Sequence, residues 1–122
     1  MSKEISIKET LDSKKLFEAF KLQLKKDLSE CGCESEFVTG LLPQFEIIQK
    51  ELAATLKEHD KKPGFNIQQL LYRVDINEKQ LSKQLQEQKN VEYMSVVAEL
   101  MIKRILQKVV LRKYFNNNDQ KG

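Results

Sequence analysis

The sequence predicts an all-α protein, a compact bundle of about five helices with a long C-terminal helix as its central packing element. Apolar residues recur at steps of three and four along the chain, which is the period of an amphipathic helix. Side chains that cap helices precede several of these periodic runs. Between Gly64 and Gly122 the chain contains neither glycine nor proline, the two residues that most strongly interrupt helices.

Length and composition are those of one globular domain. The chain has 122 residues, of which 40 % are apolar and 32 % are charged, and its net charge of +3 is concentrated in the C-terminal half. We expect a flexible N-terminus over residues 1–12, a helical domain over 13–115 and a disordered tail over 116–122. Because the sequence carries no signal-peptide pattern and no long apolar span, we expect a cytoplasmic protein.

The first predicted helix has apolar residues at steps of three and four between residues 16 and 31. Its apolar side chains recur on one face. Asp12 or Ser13 can cap its start, and Gly32 follows at the position where a left-handed residue ends many helices.

A second apolar stripe covers residues 37–59, and Pro43 interrupts it. A proline inside a helix removes a backbone hydrogen bond and clashes with the preceding turn. Either one helix therefore kinks at Pro43, or a short helix ends at Gly40 and a new one begins at the proline. Because residues 33–35 alone join the two stripes, we expect the first two helices to form a tight antiparallel hairpin.

The segment KKPG at residues 61–64 separates these helices from the rest of the chain. Asn66 and Asn77 each precede an apolar run and are followed three residues later by a glutamine, a pattern typical of a helix N-terminus. They predict a short third helix and a fourth helix over residues 78–88, joined by a tight turn at residues 74–76.

Residues 93–115 predict the last and longest helix. Its main apolar stripe fills about half of the circumference, enough to pack against the first two helices. A second stripe lies on the other side and needs a cover of its own, either from the fourth helix or from another protein chain. We therefore expect a partner-binding surface at Tyr93, Val96, Leu100, Leu111 and Tyr114. In a homodimer, a second copy of the chain would cover this surface.

Residues 67–85 resemble a DNA-binding helix-turn-helix, with a turn at Asp75 between two short helices. Leu71 stands where such motifs need a small residue, and Asp75 where they usually have glycine. Nucleic-acid binding is therefore an alternative hypothesis, because two short capped helices produce much of this pattern. Its predicted contacts with phosphates and bases are Lys79, Ser82, Lys83, Arg104, Lys108 and Arg112.

Cys31, Cys33 and His59 are the candidates for metal or redox chemistry. A structural zinc site needs four ligands, and an antiparallel hairpin would place His59 far from the cysteines. Cys31 also falls on the apolar face of the first helix, where a free cysteine behaves as a small hydrophobic residue. We expect no metal site, no cofactor and no enzymatic activity, because no nucleophile–base–orienter set forms around a single histidine.

Two segments carry a resemblance, LLYRVDINE at residues 70–78 and LQKVVLRKYF at residues 106–115. Together they resemble a group of small bacterial all-helical proteins that have no known activity. The resemblance implies a helical fold and a bacterial, cytoplasmic origin, and it implies no function. Within the first segment we expect Arg73 to pair with Asp75 or with a helix end.

The leading functional hypothesis is a non-enzymatic interaction or structural protein. Self-association, through the last helix or through the predicted hairpin, is one form that this interaction would take. The alternative is a small nucleic-acid-binding protein that uses the fourth helix and the basic end of the last one. The sequence predicts no membrane partner.

Overall fold

The computed structural model of the protein describes the backbone of residues 6–121 and the side chains of residues 6–115. Over this range the chain forms six α-helices, one short 3₁₀ helix and no strand. In chain order the elements are α1 (Ile7–Asp12), α2 (Lys14–Glu30), the 3₁₀ helix (Glu36–Gly40), α3 (Phe45–His59), α4 (Ile67–Val74), α5 (Glu78–Glu87) and α6 (Tyr93–Lys121). The predicted all-α bundle with a long C-terminal helix is confirmed. No helix in the described range combines the length and the apolar character that crossing a bilayer requires.

The central element of the bundle is α6, which packs against each of the other five α-helices. Its main apolar stripe lies in the core, and no side chain of the stripe is more than 6 % exposed. The stripe consists of Met94, Val97, Ala98, Met101, Ile102, Ile105, Leu106 and Val109. Burying a side chain of the size of leucine contributes about 1.5–3 kcal/mol, so this one helix provides a large part of the apolar burial that stabilises the fold.

The boundaries of α2 are those that the sequence predicts. The Oγ of Ser13 accepts a hydrogen bond from the backbone N–H of Leu16 at 3.2 Å and caps the helix. Gly32 follows the helix with a φ of 79°, the left-handed conformation expected there. Along the face between them, Phe20, Leu24 and Leu28 are fully buried.

The predicted hairpin between the first two long helices is wrong. The connection between α2 and α3 spans residues 31–44 and contains the 3₁₀ helix. Both α2 and α3 pack extensively against α6, whereas contact between α2 and α3 themselves is at most marginal. Because α6 provides the surface on which both helices pack, their apolar stripes face it and not each other.

Pro43 separates two helical segments and does not kink one. The 3₁₀ helix ends at Gly40, and α3 begins at Phe45, two residues after the proline. Leu41 on one side of the break and Ile48 on the other are both buried, so the apolar stripe enters the core on both sides.

Asparagine caps begin both α4 and α5, as predicted. The Oδ1 atom of Asn66 accepts two hydrogen bonds from backbone N–H groups in the first turn of α4, at 2.8 and 3.2 Å. Asn77 accepts one from the N–H of Lys79 at 2.7 Å. Asp75 ends α4 with a φ of 71°, a left-handed conformation that aspartate adopts more readily than most residues.

A helix that the sequence analysis did not anticipate, α1, lies in the stretch for which a flexible terminus was predicted. Its Ser6 cap accepts a hydrogen bond from the N–H of Glu9 at 3.2 Å, and Leu11 is buried where the helix packs on α2, α3 and α6. The backbone of the predicted tail continues α6 as far as Lys121. The predictions for residues 1–5, for Gly122 and for the side chains of residues 116–121 concern parts of the chain outside the described residues.

The substitution Gly32→Ala is expected to destabilise the protein by at least about 2 kcal/mol. A Cβ atom at this position would collide with the backbone carbonyl oxygen of Gly64, and alanine at a φ of 79° adds strain of its own. The free energy of unfolding, measured by urea titration with circular dichroism, tests this expectation. Gly40→Ala is the matched control, because a Cβ there meets nothing within 4 Å; equal losses in the two variants would contradict the argument.

Candidate functional site

The second apolar stripe of α6 is covered by the protein itself along part of its length. Val96 and Leu100 are 0 % and 5 % exposed, so their prediction as partner contacts is wrong. Tyr93, Leu111 and Tyr114 are 39 %, 47 % and 65 % exposed. The structure therefore does not form one continuous surface from the five predicted residues.

The helix that packs on this side of α6 is α5. Gln84 and Gln88 of α5 each reach the carboxylate of Glu99 on α6, with N–O distances of 3.4 Å. Leu81 of α5 is buried, and Leu85 packs against the same core. The sequence left open whether the fourth helix or another protein chain covers this stripe. The predicted fourth helix is α5, and it covers the first half of the stripe.

Toward its C-terminal end the stripe is bare. From Leu111 to Phe115 every side chain of α6 is exposed. Phe115 is 63 % exposed and was missed by the sequence-based site prediction, although its spacing of four residues from Leu111 places both on one side of the helix. We call Leu111, Tyr114 and Phe115 the terminal apolar patch.

The predicted basic ridge of α6 makes contacts within the protein. Arg104 donates to the carboxylate of Asp75 at 2.9 Å, and this hydrogen bond lowers the pKa of Asp75. Arg112 donates to the side-chain carbonyl of Gln23 on α2 at 3.0 Å. Lys108 is half-buried between them; burial lowers the pKa of Lys108, and the guanidinium of Arg104 lowers it further.

The predicted nucleic-acid contacts on α5, Lys79, Ser82 and Lys83, are exposed together at a shallow depression of its outer face. Any contact between α4 and α5 is at most marginal, because both helices pack on α6. A helix-turn-helix relies on its two helices packing against each other.

A buried carboxylate on α2, which the sequence analysis missed, ties three helices together. Asp27 is 2 % exposed, and its Oδ1 accepts hydrogen bonds from Arg73 of α4 at 2.9 Å and from Gln23 at 3.0 Å. Arg73 also pairs with Glu30 at 3.5 Å. The predicted pairing of Arg73 with Asp75 is wrong, although Arg73 does reach a helix end, the last turn of α2. The position of Asp27, three residues after buried Leu24, was the available signal.

This cluster positions helices and has no evident chemistry of its own. Arg112 contacts Gln23, Gln23 contacts Asp27, and Asp27 contacts Arg73, which connects α6, α2 and α4 in one hydrogen-bonded chain. The other carboxylate oxygen of Asp27, Oδ2, is buried and has no hydrogen-bond partner among the described residues. Because this oxygen is inaccessible to solvent, the carboxylate offers no open position for a substrate.

His59 lies beside the cysteines, and its predicted position far from them is wrong. Its Nε2 accepts a hydrogen bond from the backbone N–H of Glu34 at 3.2 Å, so its Nδ1 carries the proton and donates to the carbonyl of Thr55 at 3.0 Å. Both ring nitrogens are thus engaged by the backbone. Within the described residues, no three His, Cys, Asp or Glu side chains are arranged to hold a metal ion.

The two thiols are buried and free. Burial raises the pKa of Cys33 to about 11, with a smaller contribution from the negative charge of Glu34. Burial also raises the pKa of Cys31, against the opposing effect of Arg73. Since the thiolate is the reactive form of cysteine, this environment suppresses nucleophilic and metal-binding behaviour.

Comparison of the chain with models of known protein families, with curated proteins and with solved structures finds no match. The site is therefore described by its own geometry. Its parts are a terminal apolar patch with cations beside it, a buried ionic cluster between helices, and a histidine and two thiols that pack in the interior.

We expect Arg73→Ala to destabilise the protein by about 3–5 kcal/mol, because it leaves the buried carboxylate of Asp27 without its charged partner. Urea unfolding measures the loss. Arg104→Ala is the control, since it removes an arginine–aspartate pair whose carboxylate lies in water, and its effect should be small. The double variant Asp27→Leu/Arg73→Met should recover much of the lost stability. Similar losses in the two single variants would show that the buried contact of Asp27 contributes no more to stability than the exposed pair of Arg104.

The thiol of Cys33 should react slowly in the native protein. With its pKa at about 11, its thiolate is scarce near pH 8, and iodoacetamide labelling should be on the order of a hundredfold slower than in the unfolded chain. Mass spectrometry after timed labelling in buffer and in guanidinium gives both rates. Equal rates would mean that the thiol is not protected.

The same shift in pKa predicts how stability varies with pH. The folded protein holds the Cys33 proton more tightly than an unfolded chain, whose thiol titrates near 9.0. The resulting stabilisation is present below pH 9 and is lost as the pH rises toward about 11. Cys33→Ala should therefore lose less stability over this interval in urea titrations at stepped pH, and parallel curves for the two proteins would contradict the assignment.

Proposed function

We propose that this protein is a non-enzymatic interaction module that binds another polypeptide chain through the terminal apolar patch of α6. The observation that carries the proposal is the exposure of Leu111, Tyr114 and Phe115 on a helix whose preceding turns are buried. Isolated exposed apolar residues are common on protein surfaces, but adjacent large ones on one rigid element are typical of contact surfaces. Tyrosine and phenylalanine are also among the residues enriched at such contacts.

The patch continues a packing surface that already exists within the protein. Val96 and Leu100 of the second stripe are buried on the side of α6 where α5 packs. Leu111 and Tyr114 extend the same stripe beyond them. A partner helix that follows the line of α5 would cover them by the same packing of side chains between helices.

Two features support a role without catalysis. The single histidine has both ring nitrogens bonded to the backbone, so neither is available as a general base. The thiols of Cys31 and Cys33 are buried, and burial raises the pKa of each. Catalytic groups need access to substrate and a pKa suited to their task.

Nucleic-acid binding is the alternative, favoured by the shared exposure of Lys79, Ser82 and Lys83 on α5. It is weakened by the contacts that hold Arg104 on Asp75 and Arg112 on Gln23, since these groups would have to exchange their partners for phosphates. A gel shift that weakens steeply with salt would support it.

A variant with Leu111→Ser, Tyr114→Ser and Phe115→Ser tests the proposal. If the patch serves an interaction, the three changes should alter the free energy of unfolding by less than about 1 kcal/mol and should abolish association. Leu22→Ser is the matched control, because Leu22 is 71 % exposed on the outward side of α2.

Light scattering at micromolar concentration reports self-association, and binding to the peptides described below reports association with a different chain. A large loss of stability in the triple variant would mean that these residues serve the fold. Unchanged association in the triple variant would also contradict the proposal.

A further inference from the structure

The end of α6 that carries the terminal apolar patch is strongly basic. Residues 100–115 include five lysines and arginines and no aspartate or glutamate. Three of the cations, Lys108, Arg112 and Lys113, are within three residues of the patch in sequence. A chain that covers the patch must therefore also lie against positive charge.

The nearby carboxylates neutralise only part of this charge. Lys103 pairs with Glu99 at 2.8 Å, and Arg104 pairs with an exposed aspartate of the α4–α5 turn at 2.9 Å. Asp27 attracts Lys108 but is already hydrogen-bonded to Arg73. Among the described side chains, no carboxylate lies within ion-pair distance of the three cations beside the patch.

The spacing of the basic and apolar residues is that of a helix–helix contact. Arg104, Lys108, Leu111 and Phe115 follow each other at steps of four, three and four, which places them in one row along α6. Such a row packs into the groove of a facing helix. A facing helix would place apolar side chains against Leu111 and Phe115, and its flanking positions would meet the cations.

We infer that the end of α6 binds an acidic amphipathic α-helix of another protein, a helix with apolar residues along one face and aspartate or glutamate on the borders of that face. This inference rests on the proposed function and adds the chemistry of the partner. The apolar contact provides affinity, and the opposite charges select the partner and its orientation.

The charge distribution disfavours a second copy of this chain at the same surface. In a symmetric dimer the patch meets itself, so that Lys108 and Arg112 would face the same cations. Opposed like charges at a desolvated interface oppose association. The three apolar side chains are also too few to anchor a helix in a bilayer, which requires a long apolar face.

Two fluorescein-labelled peptides of about 15 to 20 residues provide the probe. Both are amphipathic helix formers with leucine along one face; one carries glutamate at the flanking positions and the other carries lysine. Fluorescence anisotropy at low and at physiological salt measures their affinities for the full chain. The glutamate peptide should bind at least about tenfold more tightly than the lysine peptide, and its advantage should shrink as salt rises.

Variants identify the surface and the charges. The pair Leu111→Ser/Phe115→Ser should weaken glutamate-peptide binding by about tenfold or more. The pair Arg104→Glu/Lys108→Glu, both in the same row as Leu111 and Phe115, should reverse the preference, so that the lysine peptide binds more tightly. Lys25→Glu/Lys26→Glu on the exposed side of α2 is the control with the same change in net charge, and it should leave the preference unaltered. Thermal melts confirm that each variant is folded.

The outcomes separate this inference from the proposed function. If both peptides bind equally well and the Leu111→Ser/Phe115→Ser variant binds neither, the interaction surface is kept and the acidic partner is overturned. If the protein is a homodimer that the Leu111→Ser/Phe115→Ser variant cannot form, and if it binds neither peptide, the interaction surface is also kept and the acidic partner is overturned. If neither peptide binds and the protein is a monomer, both proposals fail. If the protein binds an oligonucleotide or phosphatidylserine vesicles, and the Leu111→Ser/Phe115→Ser variant binds them equally well, the acidic helix is overturned in favour of that ligand.

Discussion

The structure depends on one constraint, the need to cover a helix that is apolar around most of its circumference. The main stripe of α6 is buried by the other five α-helices together, so none of them has a core that is independent of it. Removing this much apolar surface from water is the dominant favourable contribution to folding. The arrangement of the other elements follows, because each of them must present its apolar face to α6.

Polar contacts then determine where each helix lies on this common support. The bonds of Arg73 to Asp27 and of Arg112 to Gln23 hold α4 and α6 to α2. A buried ion pair of this kind adds little net stability but penalises arrangements that would separate its members. The same contacts leave Leu111, Tyr114 and Phe115 exposed on α6, and a surface that is already formed before binding loses less conformational freedom on association.

The sequence was informative about single elements and poor about their neighbours. The caps at Asn66 and Asn77, the interruption at Pro43 and the buried stripe of α6 depend on interactions within about one or two helical turns, and these were predictable; whether Pro43 kinks one helix or separates two was not. The hairpin and the position of His59 were wrong because periodicity identifies the apolar face of a helix but not the helix that covers it. Two of the five predicted partner contacts, Val96 and Leu100, were wrong for the same reason, since they are buried on the side of α6 where α5 packs.

The position of α6 in the chain has a consequence for biosynthesis. A ribosome makes α1 to α5 before it makes the helix on which all of them pack. Until Val109, the last residue of the main stripe, has left the exit tunnel, the earlier helices have exposed apolar faces and no stable partner for them. Folding of this unit is therefore expected to be completed in one late step, and until then the apolar segments made earlier are exposed to aggregation.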